Sequence, residues 1–512
     1  MLRFAQILPA PVTVTLEKRP RPSSPFRPRA ILPRRLRGHF FSLLFLATIA
    51  FVFHYNYSSD SNTVSTTSDD HLVYLSDLPK PEGGSRPPRF YEWHDREKLL
   101  PQHNPNLPYP QGREGRYIRF TNQVCCLGWG NVMQEILLNA HLAYLTKRTY
   151  VFNNYTWDKS PHDFSTFNGK PIPARVPLTA LLSGPIAGDP YPSSAASSPA
   201  VISEFFDEVC PTRTVIDRDE VSGALGDASA ATIFQAWLDK LERTEDRCVE
   251  IKDHTPQIFD FWLFGDSKRL LDIWPSFSTS PILTHFSWSP LITAALAANA
   301  DVIHPALSSA SPSSFVPSFK PPPLSGLLAL HIRRGDYIDH CTHLTNWSVR
   351  FLGFNEFPGL PDKFTPPKHS GSYDNDYGYD IPPEERARYR AHCFPEIGQI
   401  VSRVREVRAS LQSTTKLTRV YSMTNGRPEW LEELKVALQE DARREGLAEW
   451  EHIGTSRDLR LTGEQKHNSQ AVDMAVGQRA EVFIGNGFSS LTSNVVVLRA
   501  AQGYNWDKSR FW

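Results

Sequence analysis

Two arginines stand side by side in His331-Ile-Arg333-Arg334-Gly335-Asp336-Tyr337, directly after an apolar run. A guanidinium is always charged and presents a planar fork of donors that matches phosphate oxygens. Two of them beside a flexible glycine therefore suit a phosphate or pyrophosphate. A solvated basic turn neutralised by Asp336 and Asp339 is the plainer reading of the same spacing. A second cluster runs Phe483-Ile-Gly485-Asn486-Gly487-Phe488-Ser489-Ser490-Leu491-Thr492. Two glycines and three hydroxyls at a strand-to-helix turn favour an anion, because free N–H groups and the helix dipole add to the hydroxyls. An ordinary serine N-cap is the bland alternative. The third cluster, Gly128-Trp-Gly130-Asn131, precedes a helical period through Met133, Ile136, Leu137, Ala140 and Tyr144. A tight turn opening a helix is its default meaning. Two Asp-x-Asp pairs, Asp217-Arg-Asp219 and Asp374-Asn-Asp376, could hold a divalent cation, but neither follows a convincing apolar strand. Both read as solvated loop acids, and no metal site is assigned.

These residues need elements to position them, and the last 190 residues supply a clear pattern. Leu327-Leu-Ala-Leu-His-Ile-Arg333, Arg419-Val-Tyr-Ser-Met-Thr424 and Glu481-Val-Phe-Ile-Gly485 read as buried strands. Charged, periodic stretches from Glu384 to Leu411, Glu429 to Arg444, Gln465 to Arg479 and Ser489 to Ala501 read as helices. Apolar strands alternating with amphipathic helices predict a parallel sheet covered on both faces. Ligands of such sheets bind beyond the carboxyl ends of the strands, which is where the first two clusters fall.

The three clusters, in this order, resemble the GDP-fucose protein O-fucosyltransferase family and its relatives among the α1,2- and α1,6-fucosyltransferases. The likeness covers 128–152, 327–337 and 468–498, with Val-Asp-Met, Phe-Ile-Gly-Asn and Phe-Ser-Ser-x-Thr as its most specific parts. It implies a GT-B fold, an α/β architecture of two Rossmann-like domains facing across a cleft. It also implies an inverting, metal-independent fucosyltransferase that uses GDP-fucose as donor substrate and no cofactor. By the same analogy Arg333 binds the β-phosphate with Arg334 in support, and Asp473 faces the guanine. Ser489 and Ser490 hold the phosphates, and Gly130-Asn131 closes the cleft from the first domain. His331 and Thr492 belong to the same donor-binding blocks. Asp336 is the candidate base, with Asp339 and His340 nearby. Two departures stand out. Trp129 occupies the position between the glycines, and Asn425 replaces the acid that ends the corresponding strand of the relatives. The second motivates an alternative, a catalytically inactive, membrane-tethered protein that binds glycan or nucleotide sugar. A metal-dependent glycosyltransferase using one Asp-x-Asp pair is a third reading.

The rest of the chain bounds the setting. At 512 residues it suits two mid-sized domains with accessory segments, and 40% apolar and 12% aromatic content can fill their cores. Lys+Arg and Asp+Glu balance at 55 each, which gives no pull toward nucleic acid. Residues 1–38 are basic, with Lys18 and eight arginines against Glu17. The apolar stretch 39–57 just reaches the roughly 20 residues a bilayer requires. The positive-inside rule then predicts a single-pass type II signal-anchor protein of the Golgi or endoplasmic reticulum with a lumenal catalytic part. Residues 58–115, rich in Ser, Thr, Asp and Pro, read as a stem. A first domain, on the acceptor side, is expected over 116–323 and a GDP-sugar-binding domain over 324–512. The expected partners are the GDP-sugar donor, a glycan or glycoprotein acceptor, and the membrane through 39–57. All six cysteines follow the apolar stretch, an even number that fits disulfides. Sequons stand at Asn56, Asn154 and Asn346.

Overall fold

The computed structural model describes residues 86–167, 169–192, 197–308, 320–366 and 381–512. The basic tail, the 39–57 stretch, the Asn56 sequon and the Asp374-Asn-Asp376 pair lie outside the described residues. Among the described residues no helix is long and apolar enough to cross a membrane. Residues 86–115, the described part of the expected stem, fold back onto the body instead of forming a spacer. A helix over Tyr91–Lys98 follows the buried Phe90, and Trp93 Nε1 donates to Glu464 at 3.1 Å. The buried Glu97 carboxylate accepts from Thr179 N at 3.0 Å and Thr179 Oγ1 at 2.9 Å. Isolated aromatic anchors in a proline-rich stretch leave no periodic signal, which is why the sequence reads as a spacer there.

Two five-stranded parallel sheets form the frame. The first contains β1 (Tyr117–Phe120), β2 (Thr149–Phe152), β3 (Val201–Ile202), β4 (Thr214–Ile216) and β5 (Cys248–Ile251). Its spatial order is β3-β2-β1-β5-β4, with every pairing parallel. Aromatic and β-branched residues such as Ile118, Phe120, Tyr150 and Val151 fit the covered strands β1 and β2. Helix α1 (Trp129–Leu145) makes the crossover from β1 to β2.

The second sheet contains β6 (Leu324–Ile332), β7 (Arg419–Thr424), β8 (His452–Thr455), β9 (Ala480–Gly485) and β10 (Ser509–Phe511). Its order is β8-β7-β6-β9-β10, again all parallel. The chain builds outward from β6 through β7 to β8, then crosses over and continues on the other side with β9. The topological switch point, where ligands bind in such sheets, therefore lies between β6 and β9. Alternate residues of the strands enter different layers, as the period of two requires. Leu328, Leu330, Ile332, Val482 and Ile484 pack with α4 (Ile397–Leu411) and α5 (Pro428–Arg444). Leu327, Ala329, Tyr421 and Phe483 pack with α6 (Ser469–Arg479) and α7 (Ser490–Ala501).

Two shorter helices, α2 (Tyr337–Asn346) and α3 (Pro383–Cys393), follow β6 and are joined by a disulfide between Cys341 and Cys393. The single helix expected from Glu384 to Leu411 is thus two, because Pro395 cannot continue a helix and disfavours it at the residue before. A second disulfide joins Cys210 to Cys248 at the start of β5. Cys125 and Cys126 are unbonded, with their sulfurs 2.8 Å apart.

Candidate active site

Strand β6 delivers its last buried residue, Ile332, and the chain then turns through Arg333, Arg334 and Gly335 into α2. Gly335 has φ 65°, a left-handed conformation that glycine adopts without a Cβ penalty. The two arginines face different surroundings. The Arg333 side chain is 38% exposed and stands 3.8 Å from Asp336, itself 62% exposed. Its guanidinium carbon is 5.0 Å from the centroid of the Tyr337 ring, and its Nε is enclosed without a hydrogen-bond partner. Arg334 is only 6% exposed. Its guanidinium is held between the rings of Trp430 (4.0 Å) and Phe394 (4.4 Å) and donates to the Pro395 carbonyl. Burial lowers its pKa to about 10, so it remains charged at neutral pH. Arg334 therefore anchors the turn, and Arg333 is the guanidinium presented at its surface.

The anchor has a second tie. Asn425, the first residue after β7, accepts from Arg334 N at 2.7 Å and donates through Nδ2 to Arg334 O at 2.9 Å. Its own carbonyl accepts from Arg457 Nη2 at 3.1 Å, and Arg457 Nε reaches the Gly426 carbonyl at 3.3 Å. Sequence reasoning noticed Asn425 only as a departure and passed over Arg457, Phe394 and Trp430. Nothing in their local spacing links them to Arg334; the register of β7 beside β6 does.

On the other side of the switch point, β9 ends at Gly485 and α7 starts at Ser490. Asn486 bridges this turn, donating to the Cys393 carbonyl at 2.8 Å and accepting from Phe488 N at 3.0 Å. Ser489 occupies the N-cap position in an extended conformation but makes no side-chain cap. The Ser489 and Ser490 hydroxyls have no hydrogen-bond partner among the described residues. A helix start leaves its first N–H groups unpaired, so this turn presents several donors together.

His331 and Thr492 join the two turns. His331, 3% exposed, has Nδ1 2.8 Å from Thr492 Oγ1, and its carbonyl accepts from Trp512 Nε1 at 2.8 Å. Burial, reinforced by the Arg333 charge, pushes the imidazole pKa down to about 3. His331 is therefore neutral and fastens β6 to α7. Thr492, fully buried, is its partner.

The first sheet meets this turn through α1. Gly130 donates no side chain, and a Cβ there would lie 2.8 Å from both Leu491 N and Ser490 Oγ. Its carbonyl accepts from Asn494 Nδ2 at 2.7 Å. Asn131 follows in the same turn of α1, partly exposed and without a side-chain hydrogen bond among the described residues. Trp129 is buried, packed edge-on against Tyr155 with centroids 5.4 Å apart.

Asp473 projects from α6 toward the ends of β7 and β8. Its carboxylate accepts from Tyr421 OH at 2.8 Å and has Ser456 Oγ 2.9 Å from both oxygens. The residue keeps some exposure while its carboxyl is enclosed, and that burial raises its pKa to about 7 despite both hydroxyls and the nearby Arg457. The C-terminal edge of the second sheet thus carries Asp473, Asn425, Arg333 and the Ser489–Ser490 turn.

The Asp217-Arg-Asp219 pair is engaged elsewhere. Asp217 caps the helix over Arg218–Ser222 by accepting from Asp219 N at 3.0 Å, and it pairs with Lys252 at 3.0 Å. Asp219 pairs with Arg218 at 2.9 Å. Among the described residues, no three His, Cys, Asp or Glu side chains gather as a metal site would require.

No family model and no curated relative matches the sequence. Among solved structures, the chain is similar to POFUT1 in complex with GDP-fucose, at 15% identity and a TM-score of 0.44. That match covers 77% of this chain and 97% of the other. It is also similar to the NodZ α-1,6-fucosyltransferase soaked with GDP-fucose, at 12% identity and a TM-score of 0.36, covering 75% and 92%. Selenomethionine fucosyltransferase NodZ from Bradyrhizobium matches at 11% identity and a TM-score of 0.34, covering 74% and 91%.

Proposed function

We propose that this protein is a glycosyltransferase that takes GDP-L-fucose as donor and transfers the sugar, with inversion, to a hydroxyl of a glycan or glycoprotein. One observation carries the reading. At a single switch point β6 leads into the partly exposed Arg333, and the neighbouring β9 leads into an uncapped helix N-terminus whose two serine hydroxyls have no hydrogen-bond partner among the described residues. A diphosphate fits this set of donors, and the motif blocks that supply them resemble those of GDP-fucose-using enzymes. In this reading the two sheets belong to Rossmann-like domains of GT-B type, over 116–323 and 324–512. Gly130 and Asn131 bring the first against the donor.

The chemistry follows from where charge develops. The acceptor oxygen attacks the anomeric carbon on the face opposite the diphosphate, and the bond from that carbon to the β-phosphate oxygen breaks. Its electron pair leaves with GDP. Arg333 and the α7 N–H groups meet that growing negative charge with donors already in place, the arrangement that lowers such barriers most. The positive charge that a cation would otherwise provide comes from Arg333, so no metal is required. The acceptor proton needs a base, and the candidate carboxylate is Asp336, exposed beside Arg333. The guanine N–H donors would meet Asp473. We place the catalytic part in the lumen of the secretory pathway, anchored through 39–57; the two disulfides support an oxidising compartment.

The test is release of GDP from GDP-fucose by the full-length protein over a panel of glycan and glycopeptide acceptors, in EDTA. Arg333→Ala should abolish transfer while the protein stays folded. Full activity of that variant would overturn the assignment, and activity that vanishes in EDTA would remove its metal-independent part.

A further inference from the structure

We infer that Asn425 is a positioning residue for the donor site, and that its amide is what presents Arg333. The inference rests on the reading of Arg333 as the phosphate ligand. Among the described residues the Asn425 side chain makes no hydrogen bond to the Arg333 side chain; both of its bonds go to the Arg334 backbone. It acts on the peptide groups that flank Arg334. One bond takes up the N–H of the Arg333–Arg334 peptide at 2.7 Å, and the other the carbonyl of the Arg334–Gly335 peptide at 2.9 Å.

A backbone N–H can only donate and a carbonyl can only accept, so the pair requires an acceptor and a donor on one short side chain. An amide provides both, whereas an ionised carboxylate would set a negative oxygen against the Arg334 carbonyl. This explains the residue type at Asn425 from geometry alone. The turn needs such a tie. Gly335, at φ 65°, gives it freedom, and among the described residues the Arg333 side chain is held by a 3.8 Å contact to Asp336 and by the Tyr337 ring. Arg334 is fixed at its far end by Phe394, Trp430 and Pro395. Asn425 fixes its backbone, so the direction in which the chain leaves β6 at Arg333 is set from both ends. Asn425 is itself exposed, and its carbonyl receives Arg457, so the tie lies at the open edge of the sheet.

The experiment compares GDP binding by calorimetry for full-length wild type, Asn425→Ala and Asn425→Asp from about pH 3.5 to 8, with thermal unfolding at each pH as the check on folding. Both variants should bind roughly threefold to tenfold more weakly than wild type at pH 7.5. A protonated carboxyl has the same donor and acceptor pattern as the amide. The ratio of Asn425→Asp to wild type should therefore return toward one as pH falls through the carboxylate range. Asn425→Ala should show no such recovery. Wild-type affinity in Asn425→Ala, with a loss confined to Asn425→Asp, would reduce the effect to charge and overturn positioning. A pH-independent defect in Asn425→Asp would overturn it as well. Absence of GDP binding by wild type would sink the donor reading and this inference together. Wild-type binding that Arg333→Ala removes but Asn425→Ala spares would sink this inference alone.

Discussion

In the proposed donor site, the enclosed carboxyl of Asp473 would tie binding to pH. Its burial favours the protonated form, and Tyr421 and Ser456 only partly offset that, leaving a pKa of about 7. Guanine offers N–H donors, which need the ionised form, so GDP binding should draw a proton off Asp473. Affinity is then expected to rise with pH through about 7, changing about tenfold between pH 6 and 8. Because GDP itself titrates, the comparison is with Asp473→Asn measured at each pH, which should lack that slope. Parallel profiles would remove Asp473 from the base site. For the free protein the sign is reversed. A carboxyl whose folded pKa is raised contributes stability below the ordinary carboxylate range and loses it as pH rises through about 7. At this scale spacing alone treats Arg333 and Arg334 alike, and it is the family resemblance that gives Arg333 the phosphate with Arg334 in support. Adjacent residues leaving a strand point to different sides, and only the rings of Phe394 and Trp430, distant in sequence, show which side is closed. His331 and Thr492 stand where the motif puts them, yet they are spent on each other.

Helix α1 approaches α7 closely at Gly130. A methyl at Gly130 would press on the backbone of Leu491, whereas one at Gly128 would meet nothing within 4 Å. Gly130→Ala should therefore destabilise the protein by about 1–3 kcal/mol in denaturant unfolding and weaken GDP binding, as expected of overpacking that shifts backbone. Gly128→Ala is the control and should do neither. Equal behaviour of the two variants would contradict the packing described. The Cys341–Cys393 bridge, which ties α2 to α3 beside the Arg333 turn, makes a second element-scale test. Replacing both cysteines by serine should cost about 2–4 kcal/mol of stability, read as a shift in the denaturant midpoint. The long, periodic elements were legible: β6, β7, β9, α5 and α7 lie close to their expected bounds, whereas α2 was not expected. The edge strands β8 and β10 were not, because four and three residues are too few to show alternation. The expected Gln465 to Arg479 helix is divided at Asn468 into Gly463–His467 and Ser469–Arg479.

Across the whole molecule each sheet is closed at its base by a buried arginine that serves backbone carbonyls. Arg148 donates to the carbonyls of Thr244 (2.9 Å), Asp246 (3.0 Å) and Arg247 (3.1 Å). Arg499, fully buried, reaches the carbonyls of Gly477, Ala480, Glu481 and Lys508, and its Nε donates to Ser509 Oγ at 2.9 Å. Neither arginine stood out in the sequence, because Arg148, in the turn before β2, and Arg499, in α7, both read as surface residues until their neighbours are known. Arg499→Met should cost about 3 kcal/mol or more in global unfolding, since several buried carbonyls lose their donor at once. The parallel α/β character of the second half was visible in its alternating pattern. The first half, with two- to four-residue strands and many short turns, was visible mainly through the Gly128–Asn131 turn and the helical period after it. The central claim is that the junction between β6 and α7 is a GDP site centred on Arg333. Its most direct test is calorimetry of GDP and GDP-fucose with the full-length protein in EDTA, for wild type and Arg333→Ala. Saturable binding by wild type that is lost in Arg333→Ala is the predicted result; binding unchanged by the substitution, or none by the folded wild type, would contradict it.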